Sequence, residues 1–253
     1  MNIFSSIHEI RLLYSKQCFI VFVGPQNAGK STLINSLFEK TVEVGMRHHT
    51  DDPKVYKITK DIFAVDFPGS DSLEDHCERF KEFGVMNNLF IYVIPYNGTP
   101  SQSLVSNVRK AYKIERISGK ASKTIFCINK SAVGHQNEVF DRDYKREYVK
   151  KIKNRIESSD YDEEDSTIKE VLNRFKKDKD GKHLVEEAYK EIQAMNREFK
   201  EYALGAISKK NFLFTDWINP DSRRGIKGPV EVREKIDEYL YTCWGLSVTK
   251  SKH

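Results

Sequence analysis

Short apolar runs alternate with amphipathic segments along the first half of the chain. The runs are too short for buried helices, which favours buried strands, whereas the segments between them space their apolar residues as helices do. The predicted strands are Cys18 to Val23, Val55 to Thr59, Ile62 to Val65, Leu89 to Ile94 and Thr124 to Ile128, and the predicted helices are Lys30 to Phe38 and Ser103 to Ile117. The second and third strands, joined by a short turn, are expected to pair as an antiparallel hairpin. The alternation predicts an α/β fold, with a mostly parallel sheet and helices on both of its faces.

The pattern changes in the second half. Residues 135–204 show no strand signal, only charged segments with helical spacing of their apolar residues. Phe212 to Phe214 then predicts one more strand, and Val230 to Tyr241 predicts a closing helix. We therefore predict one α/β domain formed by residues 1–134 and 205–253. The segment between them is expected to be a helical insertion that precedes the last strand.

The composition narrows the choice of partners. The 253 residues are 39% hydrophobic and 31% charged, which indicates a globular domain with a large core. The formal net charge of +5 is too small to indicate binding to nucleic acid, and no apolar run approaches the roughly 20 residues that span a bilayer. The four cysteines lack paired metal-ligand spacing, and Cys18 and Cys127 fall in predicted buried strands. A reducing, cytoplasmic location is therefore expected, and a membrane partner is not.

The strongest chemical signal follows the first strand. Residues Gly24 to Ser31 read GPQNAGKS, which fits the phosphate-binding pattern GxxxxGK[ST] between a buried strand and an amphipathic helix. Glycines let backbone N–H groups close on phosphates at the positive end of the helix. Lys30 is expected to reach the β- and γ-phosphates, and the Ser31 hydroxyl to bind magnesium. The predicted nucleotide-binding residues here are Gly24, Asn27, Ala28, Gly29, Lys30, Ser31 and Thr32.

A second signal ends the predicted hairpin. The tetrapeptide Asp66-Phe-Pro-Gly69 follows its second strand. By itself this is ordinary turn chemistry. One hairpin after a phosphate-binding loop, however, the Asp66 carboxylate is placed to hold magnesium through water, and the Gly69 N–H to contact the γ-phosphate.

These segments together resemble the motifs of translation-factor-class GTPases. The resemblance rests on Gly24 to Asn35 (GPQNAGKSTLIN), Asp66 to Gly69, and Asn129-Lys130 after a strand, and it covers about two thirds of the chain. It implies a three-layer P-loop NTPase fold, the G domain, which binds GTP and GDP and hydrolyses GTP with Mg²⁺.

Several branches of that class remain open. Asn27 is similar to the asparagine of Era/TrmE-like proteins, whereas Gln26 and Ala28 resemble the loop of dynamin-like proteins. The stretch VEVGMRHHT, before the hairpin, is similar to immunity-related GTPases.

The guanine-reading motif of the class is incomplete. Its pattern is Asn-Lys-x-Asp, but here Asn129-Lys130 is followed by Ser131 and Ala132, so the carboxylate that accepts hydrogen bonds from the base is missing. An unpaired base N–H costs on the order of 1–3 kcal/mol. Asp216, after the last predicted strand, falls where the class has its final base-contacting loop. It is a candidate substitute acceptor, and a capped turn is an equally good interpretation.

Catalysis also departs from the class pattern. Ser70 follows Gly69, and the usual water-positioning glutamine is absent. Gln26 is a candidate to orient the attacking water. Asn27 matches the asparagine that Era/TrmE-like GTPases associate with a monovalent cation, so K⁺ is a candidate cofactor. The alternative role for Asn27 is a local bond that stabilises the loop.

The magnesium-binding threonine of the class is expected in the first switch segment. By analogy it falls roughly 20 residues after the loop lysine. Thr50 lies at that spacing from Lys30 and is our candidate for both magnesium binding and catalysis. Ser31, Thr50 and Asp66 are thus the predicted metal ligands.

Three functions remain open. The first is a slow GTPase that acts as a switch or assembly module, with the helical insertion binding another protein or a second copy. The second is a nucleotide-dependent interaction module with little hydrolysis, favoured by Ser70 and by the missing base-reading aspartate. The third is an NTPase with relaxed base specificity, favoured by Ala132. Packing of the insertion on its own chain is the competing interpretation of its amphipathic pattern.

Overall fold

The computed structural model describes residues 17–38, 54–67, 87–96, 102–118, 122–129, 142–159, 182–215 and 229–248. Within them, the strands are β1 Cys18–Val23, β2 Lys54–Lys57, β3 Ile62–Asp66, β4 Asn87–Pro95, β5 Ser122–Asn129 and β6 Phe212–Phe214. The helices are α1 Lys30–Phe38, α2 Gln102–Ser118, α3 Arg142–Ser158, α4 Lys182–Ser208 and α5 Val230–Trp244.

The described strands form one sheet in the order β2-β3-β1-β4-β5-β6. The only antiparallel neighbours are β2 and β3, and the other pairs are parallel. The predicted hairpin and the mostly parallel sheet are therefore confirmed. Because the strands are parallel, the carboxyl ends of β1, β3, β4, β5 and β6 meet at one edge of the sheet.

Strand β1 shows why the sheet is covered on both faces. All six of its residues are buried. Phe19, Val21 and Val23 belong to one hydrophobic cluster, whereas Cys18, Ile20 and Phe22 belong to a second cluster. Since neighbouring side chains on a strand point to opposite faces, the two clusters are the two layers of core that enclose the sheet.

The described helices divide between those layers. Leu33 and Ile34 of α1 share their cluster with Val232 and Ile236 of α5. Helices α2, α3 and α4 contribute to the other cluster, with Val108, Tyr148, Ile152, Phe199 and Ala203 among its buried residues. The predicted three-layer α/β architecture is confirmed. None of the helices in the described part of the chain is both long enough and apolar enough to cross a bilayer.

Helices α3 and α4 lie in the predicted insertion, and both pack on the sheet of their own chain. The Tyr202 hydroxyl of α4 donates to Glu115 Oε1 of α2 at 2.9 Å, and Lys200 Nζ donates to the carbonyl of Glu157 in α3 at 2.9 Å. Helix α4 continues without a break past residue 204 as far as Ser208. The predicted boundary at 204/205 therefore falls inside a helix, and the division into a domain and an insertion stays a prediction.

Candidate nucleotide-binding site

The loop between β1 and α1 has positive φ angles, which residues with side chains rarely adopt. Gly24 has a φ of +146° and Gly29 a φ of +91°, and Asn27 between them has a φ of +59°. A Cβ atom built on Gly24 would lie 2.2 Å from the carbonyl oxygen of Val93 in β4. The loop therefore approaches the neighbouring strand too closely for any residue but glycine at this position.

Lys30 begins α1 and turns its side chain back over this loop. Its Nζ donates to the carbonyl oxygens of Gly24 and Pro25, each at 3.0 Å, and the side chain is only 7% exposed. These contacts hold the ammonium group inside the arch of the loop. A cation in this place, at the N-terminus of a helix, favours binding of an anion such as a phosphate group.

Ser31 and Asp66 meet at the same edge of the sheet. Strands β1 and β3 are parallel neighbours, with Phe22 opposite Asp66, so the end of β3 lies beside the start of α1. The Ser31 hydroxyl donates to Asp66 Oδ2 at 2.5 Å, and Asp66 is 2% exposed. Two hard oxygen donors in contact are the kind of group that Mg²⁺ prefers, so these residues fit the metal that the sequence predicts.

Burial disfavours the charged forms of both ionisable groups at this site. It raises the pKa of the Asp66 carboxyl, against the lowering effects of the Ser31 hydroxyl and the Lys30 ammonium. It lowers the pKa of Lys30, against the attraction of Asp66. A bound metal cation would favour ionised Asp66, and a bound phosphate would favour charged Lys30. The site is thus electrostatically suited to a ligand that brings a metal cation to Asp66 and a negatively charged phosphate to Lys30.

Asn129, at the end of β5, ties the loop to the last strand. Its Nδ2 donates to the carbonyl of Ala28 at 2.7 Å, and its Oδ1 accepts from the Thr215 hydroxyl at 2.7 Å. Asn129 and Thr215 are fully buried. In this structure Asn129 therefore holds the phosphate loop and the end of β6 in a fixed relation, and its contact with a base stays a prediction.

Thr215 was not predicted from the sequence. The signal that could have identified it is the pairing of β5 with β6, which places Ile128 opposite Phe214 and hence the next residues, Asn129 and Thr215, side by side. The sequence prediction chose Asp216 instead, one position further along.

Aromatic rings of α3, of β6 and of the residue that follows β4 pack against one another near Asn129. The Tyr148 ring of α3 lies 5.4 Å from the ring of Tyr96 and 5.6 Å from that of Phe214. The backbone N–H of Tyr96 donates to the carbonyl of Asn129 at 2.8 Å. Helix α3 therefore packs against the part of the site that contains Asn129, a residue of the motif that contacts guanine in translation-factor-class GTPases.

The structure brings together some of the predicted residues, and others lie outside the described part. The seven predicted residues of the loop and of the start of α1, together with Asp66 and Asn129, lie at the carboxyl edge of the sheet. Gln26 is exposed, as is Asn27, at the outer turn of the loop. Thr50, Gly69, Lys130 and Asp216 lie outside the described residues, so their predicted roles stay predictions.

Comparison with known proteins gives one family match. Residues 19–130 match the family model described as "50S ribosome-binding GTPase". A search of curated proteins gave no match.

Solved structures give weak overall likenesses. A probable GTP-binding protein engB is 16% identical, over 89% of this chain and 98% of that chain, with a TM-score of 0.42. Toc33 from Arabidopsis thaliana, solved with Mg²⁺ and GMPPNP, is 18% identical over 60% of this chain and 68% of that chain, with a TM-score of 0.39. Roco2 RocCORdC from Methanosarcina barkeri, bound to GDP, is 18% identical over 53% of this chain and 40% of that chain, with a TM-score of 0.32.

The family match covers the segment in which the site geometry was found. The loop that begins at Gly24, the Ser31–Asp66 contact and Asn129 all fall within it. The residues of this site that the structure describes at β1, α1, β3 and β5 therefore lie within the segment that matches the GTPase family model.

Proposed function

We propose that this chain binds GTP together with Mg²⁺ and hydrolyses it to GDP, as a nucleotide-dependent switch or assembly module. One observation carries the proposal: a buried lysine lies beside a partly buried serine that is bonded to a buried aspartate, at the carboxyl edge of the sheet. Lys30 is 7% exposed, and Ser31, the next residue, is bonded to Asp66. Ligands of parallel α/β sheets bind at this edge.

The chain's own groups account for phosphate binding. The Lys30 ammonium, which donates to the carbonyls of Gly24 and Pro25, would also donate a hydrogen bond to a phosphate oxygen. Backbone N–H groups of the loop and the N-terminus of α1 add partial positive charge in the same direction.

Ser31 and Asp66 are the described residues that would hold Mg²⁺. Ser31 would bind it through its hydroxyl, and Asp66 through its carboxylate or a water that the carboxylate orients. The metal, when bound, neutralises charge on the β- and γ-phosphates. Thr50 is proposed as a further ligand from the resemblance alone.

We propose that guanine is preferred, with Asp216 or a backbone carbonyl replacing the acceptor missing at position 132. The alternative, relaxed base specificity, is favoured by Asn129, whose two amide atoms already bond Ala28 and Thr215.

Isothermal titration calorimetry with GTP, GDP and ATP in Mg²⁺ distinguishes guanine preference from relaxed base specificity. We expect guanine nucleotides to bind about tenfold or more tightly than ATP, the factor that one lost hydrogen bond of about 1.4 kcal/mol would produce. Equal affinities would instead support the NTPase of relaxed specificity.

We further propose that hydrolysis uses residues of the loop, because Gln26 and Asn27 are exposed at its outer turn. Gln26 would orient the attacking water, and the Asn27 amide oxygen would help hold K⁺, whose charge would stabilise the leaving oxygen.

We expect the rate of phosphate release to be higher in K⁺ than in Na⁺ or Li⁺ at equal ionic strength, and Asn27→Ala to remove this difference in rate. A rate indifferent to the cation rules out the potassium role. Turnover close to zero under every condition would favour the interaction module with little hydrolysis.

A further inference from the structure

The exposed surfaces of α3 and α4 carry opposite charges. Between residues 145 and 158 of α3, the exposed charged side chains comprise five basic residues, Arg146, Lys150, Lys151, Lys153 and Arg155, and two acidic residues, Glu147 and Glu157. Those of α4 between residues 186 and 201 comprise five acidic residues, Glu186, Glu187, Glu191, Glu198 and Glu201, and two basic residues, Lys190 and Arg197. The formal excess is thus three positive charges on α3 and three negative charges on α4.

The charges lie in stripes along the two helices. Side chains three, four, seven or eleven positions apart point in nearly the same direction from an α-helix. On α4 this spacing joins Glu187, Glu191, Glu198 and Glu201 into one acidic stripe. On α3 it joins Arg146, Lys150 and Lys153 into one basic stripe.

Pairing within α3 leaves the excess in place. Glu147 pairs with Lys151 at 3.1 Å, and Glu157 pairs with Lys153 at 3.7 Å, both one helical turn apart. Because these two are the exposed acidic residues between positions 145 and 158, the remaining charge excess over that part of the helix is basic. The pairs are surface pairs of small energy and do not prevent either lysine from meeting a second carboxylate.

Both helices face outward from the same layer of the core. Tyr148 and Ile152 of α3 and Phe199 and Ala203 of α4 are buried in one cluster, so the polar faces of the two helices form the outer surface above it. The outer surface of this helical layer therefore carries both stripes, and the acidic one borders α2, because the Tyr112 hydroxyl of α2 donates to Glu198 Oε2 at 2.8 Å.

We propose that this surface, formed by the exposed faces of α3 and α4, docks a second copy of the chain, with α3 of each copy against α4 of the other. A two-fold axis that runs between the stripes places the basic stripe of each copy opposite the acidic stripe of the other, so the dimer has two equivalent contacts. This is the self-complementarity that a symmetric dimer requires. The proposal does not rest on the proposed function, because no residue of the nucleotide site contributes to the surface.

A second copy fits these charges better than a polyanion does. A phosphate backbone laid along α3 would run close to the five exposed glutamates of α4. Those glutamates would repel the phosphates, whereas in a symmetric dimer they supply the opposite charges for α3.

Two double variants with reversed charge test the proposal in the full chain. Lys150→Glu/Lys153→Glu makes α3 acidic, and Glu191→Lys/Glu201→Lys makes α4 basic. Both changes use good helix formers. Lys57→Glu/Lys60→Glu, on two exposed residues of the β2–β3 hairpin, is the control for net charge. Sedimentation velocity measures the dimer constant with GDP and with a non-hydrolysable GTP analogue.

We expect wild type and the control to dimerise at about 50 mM NaCl in at least one nucleotide state, and less so at about 500 mM, where charges are screened within a few ångströms. Each charge-reversed variant alone should dimerise about tenfold or more weakly, because like charges then face each other. An equimolar mixture of the two should dimerise again, since both contacts of the mixed pair are complementary.

Three results would overturn the proposal. They are a wild type that is monomeric in both nucleotide states at low salt, charge-reversed variants that dimerise like wild type, and a mixture that stays monomeric. If wild type is monomeric but binds a single-stranded RNA oligonucleotide, and Lys150→Glu/Lys153→Glu abolishes that binding, the α3 stripe is a polyanion site instead. Circular dichroism of each variant confirms that the helices are intact.

Discussion

Replacing Gly24 by alanine is expected to destabilise the fold by about 3–5 kcal/mol, the range of the most damaging single substitutions. The new Cβ would lie 2.2 Å from Val93 O and 3.1 Å from Val93 C, both backbone atoms of a central strand that cannot move without disturbing β1 and β5. The φ of +146° adds strain for any residue with a side chain. Such a loss is a large fraction of a domain's total stability, so the variant is expected to unfold at a much lower urea concentration than wild type.

Urea denaturation followed by circular dichroism measures the effect, and the chain offers a matched control. A Cβ on Gly205, within α4, meets no atom within 4 Å. Gly205→Ala is therefore expected to raise the free energy of unfolding by up to about 1 kcal/mol, the helix preference of alanine over glycine. A Gly24→Ala variant as stable as wild type would show that the loop does not approach β4 as described.

Elements buried on both faces could be predicted closely from the sequence. Strand β1 has the predicted bounds, because all six of its residues are apolar and buried. Strand β4 begins two residues earlier than predicted, at Asn87, since a buried polar residue such as Asn88 gives no apolar signal. Helix α4 extends beyond the predicted end of the insertion because its last buried residue is a small one, Ala206, that hardly alters the hydrophobic pattern.

In the candidate site, residues of local motifs could be predicted from the sequence, whereas contacts between distant strands could not. The loop and Asp66 were predicted because their pattern is local or matches a known class. The link from Ala28 through Asn129 to Thr215 was not, because Asn129 and Thr215 are 86 positions apart and meet only through the pairing of β5 with β6. Contacts that depend on the register of distant strands leave no trace in local spacing.

Lys30→Ala is expected to remove nucleotide binding and to leave the fold in place. The ammonium is the charged group that the loop encloses, with Nζ 3.0 Å from two loop carbonyls. Loss of its bonds to phosphate costs on the order of 3 kcal/mol, which is about a hundredfold in affinity. Stability should change little, because burial already disfavours the charged lysine, as its lowered pKa indicates. Lys60→Ala, at an exposed lysine outside the site, is the control.

Calorimetric titration of GTP in Mg²⁺ into wild type and into Lys30→Ala tests whether this loop binds the phosphates, with circular dichroism to confirm that both proteins are folded. We expect saturable binding of one nucleotide per chain to wild type, weaker when EDTA removes the metal, and an affinity at least about a hundredfold lower in the folded variant. Undiminished GTP affinity in folded Lys30→Ala would contradict the assignment of the phosphate site to this loop.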